Sequence, residues 1–472
     1  MNRQGFRTIL LAGTLLSAGF ATGLAPAGAR ADSLADAMVK AYQTSPLLDA
    51  NRAALRSLDE GVPQARAGRR PQVSLSVGAE TNTTTEDFQE DQLNQAQAQL
   101  QASLLLFDSG ATKAAIESAR NQIAAGRADL KDVEQLVLFN AVQAYCDVRR
   151  DEEFVRLANN DVDRLNETMR ATQNRFDVGE VTRTDVSQSE SRLAASRSQL
   201  ETAKGALEVS RQSYRQAVGT LPGQLEALPP LPPLPKSVDQ SVAIGMQRNP
   251  TIISAQFAER AAVYDFDRAR AAKGLQISVN GGAGPQRDNN SFGPTAWNTD
   301  FGLNAGISAS VPLYTGGRND SVIRQAQALL DQRRFQLQDE GRTVTQSVAA
   351  AWSQVEVSQA NIVARREQAD AARIAAEGVA EEARLGARST LDVLDADQER
   401  LQAEAEIVQA VRDEYVAAYS LLRAMGLLTV EHLKLGIETY NPDVYFTKVQ
   451  SGPSGGYDTE AVDRIRARWE RQ

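Results

Sequence analysis

Carboxylates set close together can share a proton, hold a metal ion, or ring a pore with negative charge. The segment RSTLDVLDADQER (388–400) carries three of them, Asp392, Asp395 and Asp397, just after Arg388. Acid–base work on a substrate needs a reactive partner within hydrogen-bond reach. No nucleophile motif and no histidine lies near these acids, and the chain has one histidine, His432, and one cysteine, Cys146. A Ser-His-Asp triad or a His-based metal site would have to rest on that single histidine. No catalytic, metal or cofactor residue is therefore expected. A local role is available for one acid: Ser389 precedes Asp392 by three residues, the spacing of a capping box at a helix start. Thr182 and Asp185 repeat the feature, and an acid in the first turn also suits the helix dipole. Asp397 reads as part of a solvated face, whereas Asp395 has no such local explanation. Around a symmetry axis, single acids at 392 and 395 become rings, which are selectivity devices in cation-passing pores.

The elements that would position these residues begin after a leader. Arg3 and Arg7 start the chain, Thr8 to Ala27 is small and apolar, and Ala29-Arg30-Ala31 offers a cleavage site. Residues 1–31 thus read as a secretory signal peptide. Removing their three arginines takes the formal charge from −9 to −12, a poor match to nucleic acid. One cysteine, Cys146, excludes an internal disulfide, and Asp32 rather than a lipid-bearing cysteine directly follows the cleavage site. Beyond residue 31 no apolar run reaches the roughly 18 residues of a membrane helix, so any membrane crossing must use strands.

The remaining sequence reads as written twice. LLLFDSGATKAAI (104–116) resembles VPLYTGGRNDSVI (311–323), and AVQAYCDV (141–148) resembles VAAAWSQV (348–355). RFDVGEVTRTDV (175–186) resembles ARLGARSTLDV (383–393), and all three pairs are offset by 207 residues. Upstream, PQVSLSV (71–77) and LQISVNG (275–281) are offset by 204, which places a three-residue length difference between about 78 and 96. The first repeat spans 32–227, a proline-rich stretch at 228–236 joins the copies as a stiff extended spacer, and the second repeat spans 237–428. Residues 429–472 form a tail.

No proline occurs from Ala111 to Thr220 or from Leu313 to Tyr440. In the first stretch Ile116, Ile123, Leu130, Val137 and Ala144 recur every seven residues, and Val148, Val155, Val162, Met169 and Phe176 resume after a four-residue step. Ile323 to Ala383 repeats the pattern. This is a coiled-coil seam with one stutter. Gly179 and Gly386 read as left-handed helix C-caps, from which second helices return over about 184–218 and 390–425. Strands are expected at about 71–107 and 274–314, where apolar and small uncharged residues alternate. The alternation fits an outer-membrane barrel or an ordinary half-buried sheet. Four strands in lipid would leave two open edges, which a bilayer forbids, so closure requires several chains. Two chains would give eight strands and three would give twelve.

The duplicated plan, the P-x-V-x-L strand start, the LFDSG and LYTGG corners and the VGEVTRTDV and LGARSTLDVLDA turns resemble the TolC family of outer-membrane channels. The likeness covers nearly all of residues 33–428. It implies an α+β membrane protein, with a long α-helical coiled-coil barrel and a transmembrane β-barrel, each closed only in a homotrimer. It further implies work with a periplasmic adaptor and an inner-membrane transporter, either an ABC or a proton-driven pump. On this resemblance Asp392 and Asp395 form the entrance constriction. Arg388, with Thr184 and Asp185 of the other turn, forms an entrance lock. A supporting tyrosine of the family is replaced by Ala383, so one of two locking links is missing. The absence of a lipid-bearing cysteine and the tail YNPDVYFTKVQ (440–450) resemble the branch that includes type I protein secretion. A drug-efflux duct and a periplasmic coiled-coil adaptor are the alternatives, although adaptors usually carry one helical hairpin rather than two.

Overall fold

The computed structural model describes residues 32–86, 89–289 and 298–450. Residues 1–31, the expected leader, and 87–88, 290–297 and 451–472 lie outside the described residues.

Three short helices open the chain: α1 (Leu34–Thr44), α2 (Pro46–Asp59) and α3 (Gly61–Ala67). Ser33 and Asp36 form a capping box on α1, and Ser45 ends α1 while capping α2, whose first residue is Pro46. Such a proline costs nothing at a helix start, because its missing N–H would have no partner there. The strands β1 (Gln72–Glu86) and β2 (Gln89–Phe107) follow, then the long helix α4 (Ala111–Asp177) and its return α5 (Arg183–Val218). The second half runs α6 (Val238–Arg248), α7 (Pro250–Ala271), β3 (Gln276–Asn289), β4 (Asn298–Ser310), α8 (Arg318–Arg384) and α9 (Thr390–Ala424). A short α10 (Asp443–Gln450) lies in the tail.

Helices α4 and α8 are each 67 residues long, which makes each roughly 100 Å at 1.5 Å per residue. All twenty seam residues from Ile116 to Phe176 and from Ile323 to Ala383 are buried or half-buried. The α4–α5 seam also takes in two buried carboxylates, Asp151 and Asp161. Each accepts a hydrogen bond from a serine of α5, Ser210 and Ser196 respectively. Each of these hydrogen bonds joins α4 to α5 at one fixed pair of positions.

The sheet is antiparallel in the order β1-β2-β3-β4. Its register lines residues of one kind across the strands. Leu75, Leu100, Ala283 and Leu303 form one row, and Ser74, Gln101, Gly282 and Asn304 form the next. The apolar row is open to the surroundings: Leu75 is 68% and Leu303 is 81% exposed. The last strand is shorter than expected. It stops at Ser310, and Val311, Leu313 and Tyr314 lie beyond it. Pro312 has no N–H to give a ladder, and Gly316 and Gly317 then turn the chain with positive φ.

The main core lies where α1, α4, α5, α8 and α9 meet, with Leu138, Tyr145, Tyr214, Leu421 and Leu422 fully buried. The proline-rich stretch is more than a spacer. Its Leu228, Leu231 and Leu234 pack on this core, and the Tyr145 hydroxyl donates to the Glu226 carbonyl at 2.7 Å. Gly426, at φ +75°, sits where α9 ends against the α6–α7 corner, and a Cβ there would lie 2.4 Å from the Arg248 carbonyl oxygen. The tail then runs back over the first helices. Arg52 lies between the rings of Tyr42 and Tyr440, and Arg127 pairs with Asp443 at 2.8 Å and covers Phe446. Beneath it Asp59 is fully buried with no hydrogen-bond partner for either oxygen. Burial pushes its carboxyl up to about 6; Arg127 works against this, and Glu60 and Asp443 add to it.

Two outcomes are expected. Gly426→Ala meets both a left-handed backbone and a backbone oxygen, and costs at least about 2 kcal/mol. A thermal melt with an unchanged midpoint would contradict this. Asp59 holds its proton more tightly in the folded chain than in the unfolded one. Its protonation therefore favours the docked tail, and that contribution is full below about 4 and fades as pH rises through about 6. Asp59→Asn should slow amide exchange in 443–450 at pH 7.5 and remove the pH dependence between about 4 and 6.

Candidate functional site

The two long helices end in closely similar turns. α4 ends at Asp177, and Gly179 takes φ +82°, with the Glu180 N–H donating to the Arg175 carbonyl at 2.8 Å. α8 ends at Arg384, and Gly386 takes φ +80°, with the Ala387 N–H donating to the Glu382 carbonyl at 2.9 Å. Only a residue tolerant of positive φ can close a helix this way, which explains glycine at both places. Each turn also carries an ion pair, with polarity reversed. Arg175 before the glycine pairs with Glu180 after it at 3.3 Å, and Glu382 pairs with Arg388 at 2.8 Å.

The return helices start with full capping boxes. The Asp185 carboxylate accepts from the Thr182 N–H at 2.9 Å and from its hydroxyl at 2.7 Å. Asp392 accepts from the Ser389 N–H at 3.0 Å and from its hydroxyl at 2.9 Å. The Thr182 hydroxyl and backbone N–H hold the Asp185 carboxyl below the usual range. The Ser389 backbone and hydroxyl do the same for Asp392, with help from the Arg388 charge. Both acids are thus firmly ionised. Glu382 in turn raises the Arg388 guanidinium above its usual value.

Asp395 lies one turn further along α9 and is exposed, as are Asp392, Arg388 and Thr184. Within one chain Arg388 meets Glu382 rather than Thr184 or Asp185. Ala383 is buried in the α8 seam at 7% exposure, where its methyl serves packing. Asp397 departs from the expected solvated face. It is 6% exposed and pairs with Arg164 of α4 and, at 3.9 Å, with Arg400. Burial raises its carboxyl and the two arginines oppose that shift. Asp395 has a partner too, Arg192 of α5 at 2.6 Å. Sequence reasoning did not find Arg164 or Arg192. They meet their acids across 233 and 203 residues, and no spacing rule reaches that far. The available signal was that neither acid was explained by its own helix start.

The family described as outer membrane efflux protein matches residues 37–220 and 245–427. The chain belongs to the outer membrane efflux protein family. It is 33% identical over 446 residues to the outer membrane efflux protein BepC of Brucella suis, covering 94% of each chain. It is 23% identical over 436 residues to the outer membrane protein TolC of Escherichia coli, covering 87% of this chain and 86% of that one. The fold matches the crystal structure of the outer membrane protein VceC from Vibrio cholerae, with TM-score 0.70 at 20% identity, over 83% of this chain and 96% of that one.

As an outer membrane efflux protein the chain is an outer-membrane channel protein and not an enzyme. Channels of this family work with periplasmic adaptors and inner-membrane transporters. No helix among the described residues is long and apolar enough to cross a membrane, and none of their acidic, histidine or cysteine side chains group as metal ligands.

Removing the cap hydroxyl should loosen the tip without unfolding the chain. Ser389→Ala and Thr182→Ala are each expected to cost about 1 kcal/mol and to speed amide exchange in the first turn of α9 or α5. Exchange at the wild-type rate would show that the caps do not hold these turns.

Proposed function

We propose that this chain forms, as a homotrimer, a continuous exit duct through the outer membrane and the periplasm. The sheet supports the reading most directly. It presents a lipid-like apolar row on one face, a neutral polar row on the other, and, among the described residues, edges on β1 and β4 with no strand beside them. A bilayer tolerates such edges only when other strands pair with them. Three copies supply twelve strands, enough for a transport-sized lumen, whereas two supply eight, whose interior side chains nearly fill.

In this reading the two repeats, 32–227 and 237–428, place their helical tips together around the periplasmic mouth. Asp392 and Asp395 form paired acid rings that constrict the entrance and favour cations. Arg388, meeting Thr184 and Asp185 of a neighbouring turn, locks the entrance, since a guanidinium can engage a hydroxyl and a carboxylate together. That requires Arg388 to exchange its exposed contact with Glu382, an exchange of small net cost. The partners are a periplasmic adaptor and an energised inner-membrane transporter, so the duct itself does no work.

We further propose type I protein secretion through an ABC transporter, supported by Asp rather than a lipid-bearing cysteine at position 32 and by the tail at 440–450. The second reading is drug efflux with a proton-driven pump, favoured by the likeness to the outer membrane efflux protein BepC.

Purified protein in planar bilayers should show a cation-selective pore of small conductance. Asp392→Ala with Asp395→Ala should reduce the cation preference severalfold, and Arg388→Ser should raise conductance. Absence of any pore from the wild-type protein would refute the duct, and an Arg388→Ser channel identical to wild type would refute the lock.

A further inference from the structure

The two helical hairpins of one chain, α4–α5 and α8–α9, are joined near their tips by a small knot. Leu165 of α4, Leu193 of α5 and Leu394 of α9 bury one another there, at 8%, 5% and 2% exposure. Two ion pairs flank the leucines. Arg192, beside Leu193, reaches Asp395, beside Leu394, at 2.6 Å. Arg164, beside Leu165, reaches the buried Asp397 on the inward side of α9.

None of these charged pairs follows from the repeat. The positions 207 residues away from Arg164, Arg192, Asp395 and Asp397 hold Ala371, Glu399, Gln188 and Glu190. The same arginine–aspartate pairs therefore cannot form in mirrored places. They join one hairpin to the other in one direction only.

We propose that Arg192 and Arg164 form an ionic clasp that fixes α9 against α4–α5 and so sets both the width and the charge of the entrance. This rests on the duct reading above. The clasp takes hold of α9 within one turn of the constriction acids, so dilation by movement of α9 must first part these pairs. Arg192 also does something a purely structural contact would not do. Its guanidinium sits on the Asp395 carboxylate, so in the closed state the outer acid of each pair is screened and Asp392 carries most of the ring's field. Parting the clasp would widen the mouth and unmask Asp395 in the same step. Arg192 is thus a positioning residue for the gate, acting through Asp395.

The test is single-channel recording of full-length trimers carrying Arg192→Gln, Arg192→Lys or Arg164→Gln, with reversal potentials measured under a salt gradient. Arg192 lies on the surface, so its variants leave the core untouched. Arg192→Gln should lengthen open dwell times by about two- to fivefold, the range an exposed ion pair supplies. It should also shift the reversal potential toward stronger cation preference. Arg192→Lys should restore wild-type dwell times and selectivity. Arg164→Gln should lengthen dwell times further, because it leaves the buried Asp397 short of a partner, yet leave selectivity unchanged. Amide exchange in residues 393–400 should quicken in both glutamine variants. An Arg192→Gln channel with wild-type dwell times and reversal potential would overturn the clasp while leaving the duct intact. A wild-type protein that forms no pore would overturn the duct itself.

Discussion

A peptide group in lipid has no water to turn to. The four-stranded sheet ends on β1 and β4, each with one edge that has no strand beside it among the described residues. Every unpaired N–H and C=O on such an edge costs several kcal/mol in hydrocarbon. If the sheet stands in lipid, as proposed, it is incomplete as a single chain. The same incompleteness appears below it, where Phe335, Val357, Val363 and Ile374 of α8 stay exposed on a helix already paired with α9. The proposed homotrimer would cover strand edges and helix faces alike.

The helices meet this demand with narrow seams rather than a thick core. In the lower part of α8 the seam is built from Ala369, Ala376 and Ala383, which lets α9 approach closely. In α4 the corresponding residues, Val162, Met169 and Phe176, are larger, and nearer the middle of the helix Asp151 and Asp161 each accept a hydrogen bond from a serine of α5. The hairpins are thus chemically unequal although they share a plan. One carries two buried serine–carboxylate hydrogen bonds between its helices, and the other combines small apolar contacts with the Arg365–Glu406 ion pair. The pairs at Arg192 and Arg164 connect the first hairpin to the second.

Much of this was legible in the sequence because its cause is local or periodic. The seven-residue seam gave both long helices, positive-φ glycines gave their ends, and the hydroxyl–acid spacing gave the caps at Thr182 and Ser389. Alternation gave the strands, with the last one overextended because Val311 and Leu313 keep the rhythm after Pro312 has ended the ladder. Long-range partners were not legible. Asp397 looked solvated because no pattern on α9 announces that Arg164, on another helix, lies opposite. The tail was opaque for the same reason: it is held by single contacts, Tyr440 on Arg52 and Asp443 on Arg127, that obey no period.

The equal length of α4 and α8 has a consequence for how such a chain can change. Each helix begins at a left-handed glycine, Gly110 at φ +95° and Gly317 at φ +82°, and stops just before another. An inserted or deleted residue in one helix would move its tip by about 1.5 Å and rotate it by about 100° relative to the other. The two tips would then miss each other in both height and facing. The described strands obey no such rule, at 15 and 19 residues in the first hairpin and 14 and 13 in the second. The helical part therefore behaves as a gauge whose two arms can lengthen only together and by whole repeats of the seam. The sheet tolerates unequal strand lengths instead, provided the added residues fall outside the paired rows, since a slip of one residue would swap its two faces.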